Sequence, residues 1–273
     1  MRVVRIALSL VLIFPSLLPA SPRFHRKTQQ TSTSATSSPA TTMLQQSLAA
    51  LVPNLTLTDV TLTGSVRRVV GSDDQSGAAT LKALSSGSAR ADLSLSSGTL
   101  SEIYNSSTSG PVGAWSGSDG KLHAIPFHNL LSEPAWFFPT FAISRRLSAT
   151  YVVTDIGPET RNGRQVEHIS VSQNTPSQFP AGPPSFQHLT QLDFYLDSAT
   201  FLPYAITYNI HPDDNALLDI PVEIDFSDYR PVSGAQIPFH IQKFLNNSLL
   251  LDLQVQNAAI NSGLSVNTFS ISM

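Results

Sequence analysis

The sequence contains no cysteine among its 273 residues. This absence excludes disulfides, a thiol nucleophile, a thiolate metal site and lipid attachment through an N-terminal cysteine. Without covalent crosslinks, the fold must be held by its hydrophobic core. The chain is long enough to bury one substantial core, and a sheet protein of this size is ordinarily a single domain.

Charged residues are also scarce. Asp, Glu, Lys and Arg make up 13% of the chain, and the formal net charge is −3. Basic residues are clustered no more densely than in short pairs such as Arg67-Arg68 and Arg145-Arg146. A nucleic-acid partner is therefore not expected, because such proteins need a concentrated positive surface.

Familiar catalytic and metal-binding motifs are missing. In Gly113–Gly117 the serine comes one residue too late for a nucleophile elbow. His123 and His128 could meet a metal, but no carboxylate lies beside them at helical spacing and H-E-x-x-H is absent. One acidic stretch lacks the spacing of a calcium loop and is interpreted as a solvated loop: Asp213, Asp214, Asp219, Glu223 and Asp225. We predict no catalytic residue, no metal site and no cofactor.

The N-terminus has the pattern of a secretory signal. Arg2 and Arg5 precede an apolar run, Ile6–Leu18, which is followed by small residues up to Ala20. The run is short for a membrane span, although an uncleaved anchor is the alternative. We predict a signal peptide at 1–20, a disordered Ser/Thr-rich leader at 21–42 and one domain at 43–273, with no transmembrane span in the mature chain.

The last third of the chain, from Leu189 to Ile271, indicates five consecutive strands. Turn signals separate the strand-like runs, and no helical period interrupts them. The runs are QLDFYLD, LPYAITYNI, VEIDFSDYRPV, AQIPFHIQKFLN and LLLDLQVQNAAIN. Consecutive antiparallel strands form a sheet with one apolar face, which other elements must cover.

A short helix and further strands precede this sheet. Apolar spacing predicts a helix over 43–52 that ends at Pro53, with the Thr41-Thr42 pair as its cap. The run 55–66 slips in its alternation between Leu57 and Val60, which predicts a bulge or a bend there. We expect about ten or eleven strands with one or two short helices.

Alternation and turn residues define the middle strands. Four apolar residues at period two share one face: Ala89, Ala91, Leu93 and Leu95. Turns are predicted over 71–77, at Asp119-Gly120 and at Asn162-Gly163. The proline-rich stretch 174–185 is predicted to be an exposed loop.

An aromatic insert lies between the two sets of strands. Residues 126–142 contain three prolines, which rule out one long regular helix. We expect a short helix over 127–132 and a second turn near Trp136. The insert is either a fixed plug of the open sheet face or a mobile lid over a ligand cavity. Burial is expected in both cases, because such an aromatic cluster would otherwise associate with other surfaces.

Five segments, in order, resemble the LolA/LolB-like family of periplasmic lipoprotein carriers and outer-membrane lipoprotein-sorting proteins. They are SARAD at 88–92, WSGSDGKL at 115–122, LDFYLD through Leu202-Pro203, YRPVSGAQIPF at 229–239, and Asn261 before Phe269. The resemblance covers roughly residues 43–271. It implies a mainly β (α+β) fold, in which a large curved antiparallel sheet forms an open half-barrel. An N-terminal helix and the short aromatic insert would cover its concave face.

The resemblance further implies a non-enzymatic protein, exported to the bacterial periplasm, that binds a lipid or a lipoprotein acyl chain. The ligand-binding candidates are Arg90, Trp115, Phe127, Trp136, Phe137, Phe138 and Phe141. Alternation assigns Arg90 to a solvent-facing surface, whereas the resemblance points it into the cavity. The alternative function is a cell-envelope interaction or scaffold module, with a self-filled barrel and an envelope protein as its partner.

Overall fold

The computed structural model describes residues 38–107, 110–117, 119–174 and 184–271. The predicted signal peptide, nearly all of the leader and residues 175–183 of the proline-rich loop lie outside the described residues. Within the described ranges, none of the helices is long and apolar enough to cross a membrane.

A thirteen-stranded antiparallel sheet forms the molecule and does not close into a barrel. The strands are β1 (Asp59–Val70), β2 (Asp73–Leu84), β3 (Ala89–Leu95), β4 (Gly98–Ser107), β5 (Gly110–Ser116), β6 (Leu122–Ala124), β7 (Tyr151–Arg161), β8 (Arg164–Gln173), β9 (Leu192–Asp197), β10 (Pro203–Ile210), β11 (Ile220–Val232), β12 (Ala235–Leu245) and β13 (Ser248–Ile260). Their spatial order is β6-β5-β4-β3-β2-β1-β13-β12-β11-β10-β9-β8-β7. The predicted open half-barrel is therefore confirmed, including its five C-terminal strands.

The thirteen strands of the described residues are two or three more than expected, and two details of the N-terminal half differ. Strand β6 has three residues, too few to show an alternation. The turn predicted over 71–77 is shorter, because β2 begins at Asp73. The bulge predicted between Leu57 and Val60 is wrong, because β1 begins at Asp59. The register shift instead falls between Thr63 and Gly64.

Gly64 lets β1 approach β13 closely and so joins the two halves of the sheet. A Cβ atom at this position would lie 2.1 Å from the carbonyl oxygen of Gln254. A side chain would clash at this distance, so the bulge requires glycine. At the β7 edge of the sheet, the predicted Asn162-Gly163 hairpin is confirmed, since both residues have positive φ and link β7 to β8.

In the part of the chain that the structure describes, three α-helices and two 3₁₀ helices accompany the sheet. They are α1 (Pro39–Leu51), α2 (Pro139–Arg146), α3 (Pro184–Thr190) and the 3₁₀ helices Phe127–Leu131 and Val266–Phe269. Helix α1 begins before the expected start, because the hydroxyl of Ser38, not Thr41 or Thr42, accepts the capping hydrogen bond. Proline at the first helical position costs nothing, since that N–H has no partner in a helix.

The apolar alternation of the strands builds the core on the concave face. All four alternating residues of β3, from Ala89 to Leu95, are buried, as are Leu81 on β2 and Ile241 on β12. Helix α1 lies against β7, β12 and α2. Together with the aromatic insert, α1 covers the concave face, as the sequence predicted.

Candidate ligand-binding site

A cavity of about 510 Å³ opens on the concave face. Its walls combine apolar side chains, two tryptophans and a few charged groups. They include Ala91, Leu93, Leu100, Glu102, Trp115, Trp136, Lys243, Leu250 and Leu251, with Arg68, Asp73 and Gln75 at one end. This size and mixture are typical of sites for small organic ligands.

Strand alternation places the walls of this cavity. Ala91 of β3 is opposite Glu102 of β4, which is opposite Trp115 of β5. Residues that face each other across antiparallel strands project from the same face of the sheet. The three neighbouring strands therefore contribute one row of side chains to the cavity.

Both tryptophans of the chain line this cavity. Trp115 stacks on His123 of β6, with ring centroids 4.2 Å apart, and its side chain is 45% exposed. Trp136 of the insert is only 3% exposed and lies edge-on to Phe137. One indole thus stands at the open side, and the other forms the buried wall.

Lys243 is the principal charged group of the cavity. Its Nζ lies 4.4 Å from the centroid of the Trp136 ring, a cation–π distance. Burial lowers the pKa of Lys243, while the Glu102 carboxylate opposes this shift. Within the described ranges, no carboxylate forms an ion pair with Lys243, so its charge is only partly compensated.

The aromatic insert is packed as part of the core. Phe137, Phe138 and Phe141 are all buried, and the last two rings meet edge-to-face with centroids 4.8 Å apart. These three residues do not line the cavity. Their burial is typical of a fixed plug.

A buried ion cluster fastens the insert to α2. The Glu133 carboxylate accepts hydrogen bonds from Arg145, at 2.9 and 3.1 Å, from Arg146, and from the backbone N–H of Ala135, at 2.9 Å. Burial alone would raise the pKa of Glu133, but the two guanidinium groups hold it below its usual value. Arg145 and Arg146 also border a second cavity of about 370 Å³.

The remaining two predicted ligand-binding residues, Phe127 and Arg90, also lie outside the main cavity, so only the two tryptophans of the predicted set line it. Phe127 is 63% exposed, so the expectation that the whole aromatic cluster is buried is wrong at this position. Arg90 projects from the face of β3 opposite Ala91, and its Nε donates to Asp92 at 2.7 Å. The alternation of β3 sets this face, and Arg90 lines neither described cavity.

Sequence reasoning missed Lys243, although a signal was present. Along β12, Ile237 and Ile241 share the buried face, and Lys243 continues that row. A lysine on the apolar face of a strand indicates that its ammonium group points into a cavity. Glu102 gives the same signal between Leu100 and Tyr104 on β4.

A separate polar cluster lies outside both cavities. His188 of α3 and His211, directly after β10, both contact Oδ1 of Asp219, at 2.7 and 3.1 Å from Nε2. Burial lowers the pKa of His211, and the pKa of Asp219 is also lowered, because its hydrogen bonds to the two histidines outweigh desolvation. These residues could hold a metal ion. His123 and His128 do not form the metal pair considered from the sequence, since His123 stacks on Trp115 and His128 bonds the Pro212 carbonyl.

Comparison with known proteins gives matches in structure. No protein-family model and no curated protein matches the sequence. A crystal structure of a domain named for outer membrane lipoprotein sorting, from Vibrio parahaemolyticus, has a TM-score of 0.52 at 14% identity, covering 84% of this chain and 95% of that one. A DUF1329 family protein from Desulfovibrio piger has a TM-score of 0.51 at 9% identity, covering 86% and 98%.

A LolA superfamily protein from Nitrosomonas europaea is also similar, with a TM-score of 0.49 at 8% identity, covering 86% of this chain and 99% of that one. At such identities, the matches with the first two structures show a shared fold and nothing about the ligand. They confirm the half-barrel fold that the sequence resemblance implied.

Proposed function

We propose that this protein binds a lipid with an anionic head group, non-enzymatically, on the concave face of its half-barrel. The cavity of about 510 Å³ between Trp115, Trp136 and Lys243 carries the proposal. A site with largely apolar walls and a half-buried lysine suits a molecule with a long apolar part and one negative end.

The apolar part of the ligand would lie along the leucine-lined wall. This wall comes from strands on both sides of the junction between β1 and β13, where the two halves of the sheet meet. It consists of Leu93 and Leu100 on one side and Leu250 and Leu251 on the other. Each methylene group removed from water contributes about 0.8 kcal/mol, so an acyl chain gains affinity with each carbon that it buries. A fatty acid, a lysolipid or the acyl chain of a lipoprotein has this property.

The negative end of the ligand would lie at Lys243. The ammonium group is partly desolvated, and among the described residues the Trp136 ring and the Glu102 charge stabilise it. An anionic oxygen would restore the interaction that desolvation removed, and a charge-assisted hydrogen bond contributes about 1.5–3 kcal/mol. Arg68 at the cavity end is already near Asp73, at 3.6 Å, which makes Lys243 the better partner.

Export to the bacterial periplasm is part of this proposal. The N-terminal pattern of Arg2, Arg5 and a short apolar run supports it. A carrier or sorting role for a lipoprotein acyl chain would take place in that compartment.

Intrinsic fluorescence tests ligand binding directly, because both tryptophans line the cavity. We would titrate the purified protein with oleate and with oleyl alcohol, which share one chain and differ in charge. We expect a saturable spectral shift with oleate and a weaker one with the alcohol. Lys243→Met should weaken oleate binding at least about tenfold and leave the alcohol unaffected.

Lys82→Met is the matched control. Lys82 is on β2, opposite Arg90, and lines neither described cavity. This variant should bind oleate like the unmodified protein. Absence of a spectral shift with either ligand would contradict the lipid-binding proposal, and equal losses in both lysine variants would contradict the role of Lys243.

The packing of the insert supports a second function, a cell-envelope interaction module without a ligand. Its partner would be an envelope protein that meets the edge strand β7, where Val152 and Ile156 are exposed. An edge strand offers free backbone groups to an added strand. This alternative predicts no lipid-dependent change in tryptophan fluorescence.

A further inference from the structure

We propose that His188, His211 and Asp219 form a binding site for a transition-metal dication of the zinc type. This site is independent of the lipid proposed above, because none of its residues lines either described cavity. It lies where α3 meets the connection between β10 and β11.

The geometry converges on one oxygen atom. Nε2 of His188 is 2.7 Å from Oδ1 of Asp219, and Nε2 of His211 is 3.1 Å from the same atom. The three potential ligand atoms all lie within 4.8 Å of one another. Donors around a tetrahedral zinc ion with bonds of about 2.0–2.1 Å are separated by about 3.3 Å. The two histidine–carboxylate distances would therefore lengthen by about 0.6 and 0.2 Å to admit the ion, and the separation of the two imidazole nitrogens, which is within 4.8 Å, would adjust to the same value.

The donor set determines the class of metal. Two imidazole nitrogens and one carboxylate oxygen suit zinc and its transition-metal neighbours. Calcium and magnesium prefer oxygen ligands alone and need more of them. Three protein ligands leave one coordination position for water or for an anionic group.

Hydrogen bonds hold the backbone of His211 in place without a metal ion. His211 is only 3% exposed. Asn129 of the first 3₁₀ helix accepts from the His211 backbone N–H at 2.9 Å and donates to its carbonyl at 2.8 Å. His128, on the same helix, contacts the Pro212 carbonyl at 3.1 Å. A metal ion would therefore link α3 to the connection between β10 and β11, which hydrogen bonds already join to the aromatic insert.

The second ring nitrogen of His211 is left without support from the described part of the chain. Among the described residues, Nδ1 of His211 has no hydrogen-bond partner. Metal-bound histidines usually donate their other ring N–H, and the loss of such a partner costs about 10- to 100-fold in metal affinity. We expect reversible binding that is weaker than in a fully supported zinc site by about this factor.

Calorimetric titration of chelator-treated protein with Zn²⁺ alone tests the proposal. We expect one bound ion per chain and no binding of Mg²⁺ or Ca²⁺ under the same conditions. His188→Ala and Asp219→Asn should each weaken Zn²⁺ binding at least about tenfold. Both residues are partly exposed, so these variants should fold even if a change at the buried His211 does not.

His240→Ala is the matched control. His240 and Asp252 form another histidine–carboxylate pair, at 2.9 Å, without a second histidine. This change should leave Zn²⁺ affinity unaltered. Zinc at a hundredfold excess over its Kd should also raise the unfolding temperature by about 5–10 °C in the unmodified protein and in His240→Ala. Asp219→Asn should show no such rise.

Three results would overturn the proposal. The first is that the unmodified protein binds no Zn²⁺. The second is that His188→Ala and Asp219→Asn both keep the Zn²⁺ affinity of the unmodified protein. The third is that His240→Ala loses as much Zn²⁺ affinity as those two variants. Absorption of bound Co²⁺ adds a spectroscopic check, since a tetrahedral site gives intense visible bands. Their persistence in Asp219→Asn would also overturn the assignment of Asp219 as a ligand.

Discussion

Trp136→Ala tests whether the aromatic insert is a fixed part of the core. Trp136 is 3% exposed, contacts Phe137 edge-on and carries Lys243 over its ring. Truncation removes the whole indole while leaving the ion cluster around Glu133 intact. The insert should then lose the contact of Trp136 with Lys243 of β12.

The expected loss in the free energy of unfolding is about 3 kcal/mol. Truncation of a buried tryptophan or phenylalanine to alanine costs about 3–5 kcal/mol. The lower end applies, because one side of the indole already lines a cavity, so fewer packed neighbours are lost. For a domain of this size, 1 kcal/mol corresponds to about 2–4 °C, which gives a fall of about 6–12 °C in the unfolding temperature.

Thermal and urea unfolding followed by circular dichroism measure this loss, with Phe127→Ala as the control. Phe127 is on the same insert but is 63% exposed, so its truncation should change stability by no more than about 0.5 kcal/mol. A loss below about 1 kcal/mol in Trp136→Ala would refute the fixed plug. It would instead favour a lid, because lids come from weakly held parts of a fold.

Two further substitutions test the electrostatics of the fold. Glu133→Gln leaves the buried Arg146 without its counter-charge and should destabilise the protein by about 3–5 kcal/mol at pH 7. Because the pKa of Glu133 is lowered in the folded protein, its carboxylate stabilises the fold above the unfolded pKa, and this stabilisation is lost as the pH falls through the folded pKa. In urea unfolding, the stability of the variant should therefore approach that of the unmodified protein below about pH 4. A deficit that persists unchanged into acid would contradict the ion-pair origin. The effect of Asp225 on stability has the opposite pH dependence, since burial and the neighbouring Glu223 raise its pKa to about 7. The folded state then keeps a proton that the unfolded chain has lost, and stability falls by at most about 4 kcal/mol as the pH rises from about 4 to 7. Asp225→Asn should therefore be more stable than the unmodified protein at pH 8 and equally stable at pH 4; a variant that is less stable at pH 8 would show that this reasoning is wrong.

The strands were predictable wherever alternation alone determines which side is buried. The run from Ala89 to Leu95 shows this, because its period of two matches the pleat and leaves no competing helix. The bulge at Gly64 was not predictable, since it depends on how closely β13 approaches from almost two hundred residues away in sequence. Register between distant strands is set by tertiary contacts that a local pattern does not contain.

The helices show a different limit. Proline was treated as a helix breaker in the insert, yet Pro139 begins α2, as Pro39 begins α1. Proline breaks a helix in its interior but suits the first position, where its fixed φ is already helical. Applied at Pro39 and Pro139, this rule would have found both helix starts.

The candidate site was only partly predictable, because aromatic content indicates burial and does not indicate which rings face a cavity. Trp115 and Trp136 line the cavity, whereas Phe137 and Phe138 fill the core behind it.

For Arg90, the resemblance points into the cavity, whereas alternation points to the solvent-facing side. The structure has Arg90 on the face of β3 opposite Ala91, where its Nε donates to Asp92. The pleat of the strand, which alternation reports, determines that face.

Lys243 is best understood from the cost of its position. A chain selected only for a self-filled core would gain by placing an apolar residue there, since a partly desolvated ammonium without an ion-pair partner is unfavourable. Local rules that fail at one position in an otherwise consistent fold commonly mark a functional site. At this position the exception coincides with a cavity and with both tryptophans of the chain. The cost of Lys243 therefore favours a bound anion over a purely structural role, and it makes the comparison of oleate with oleyl alcohol the decisive test of function.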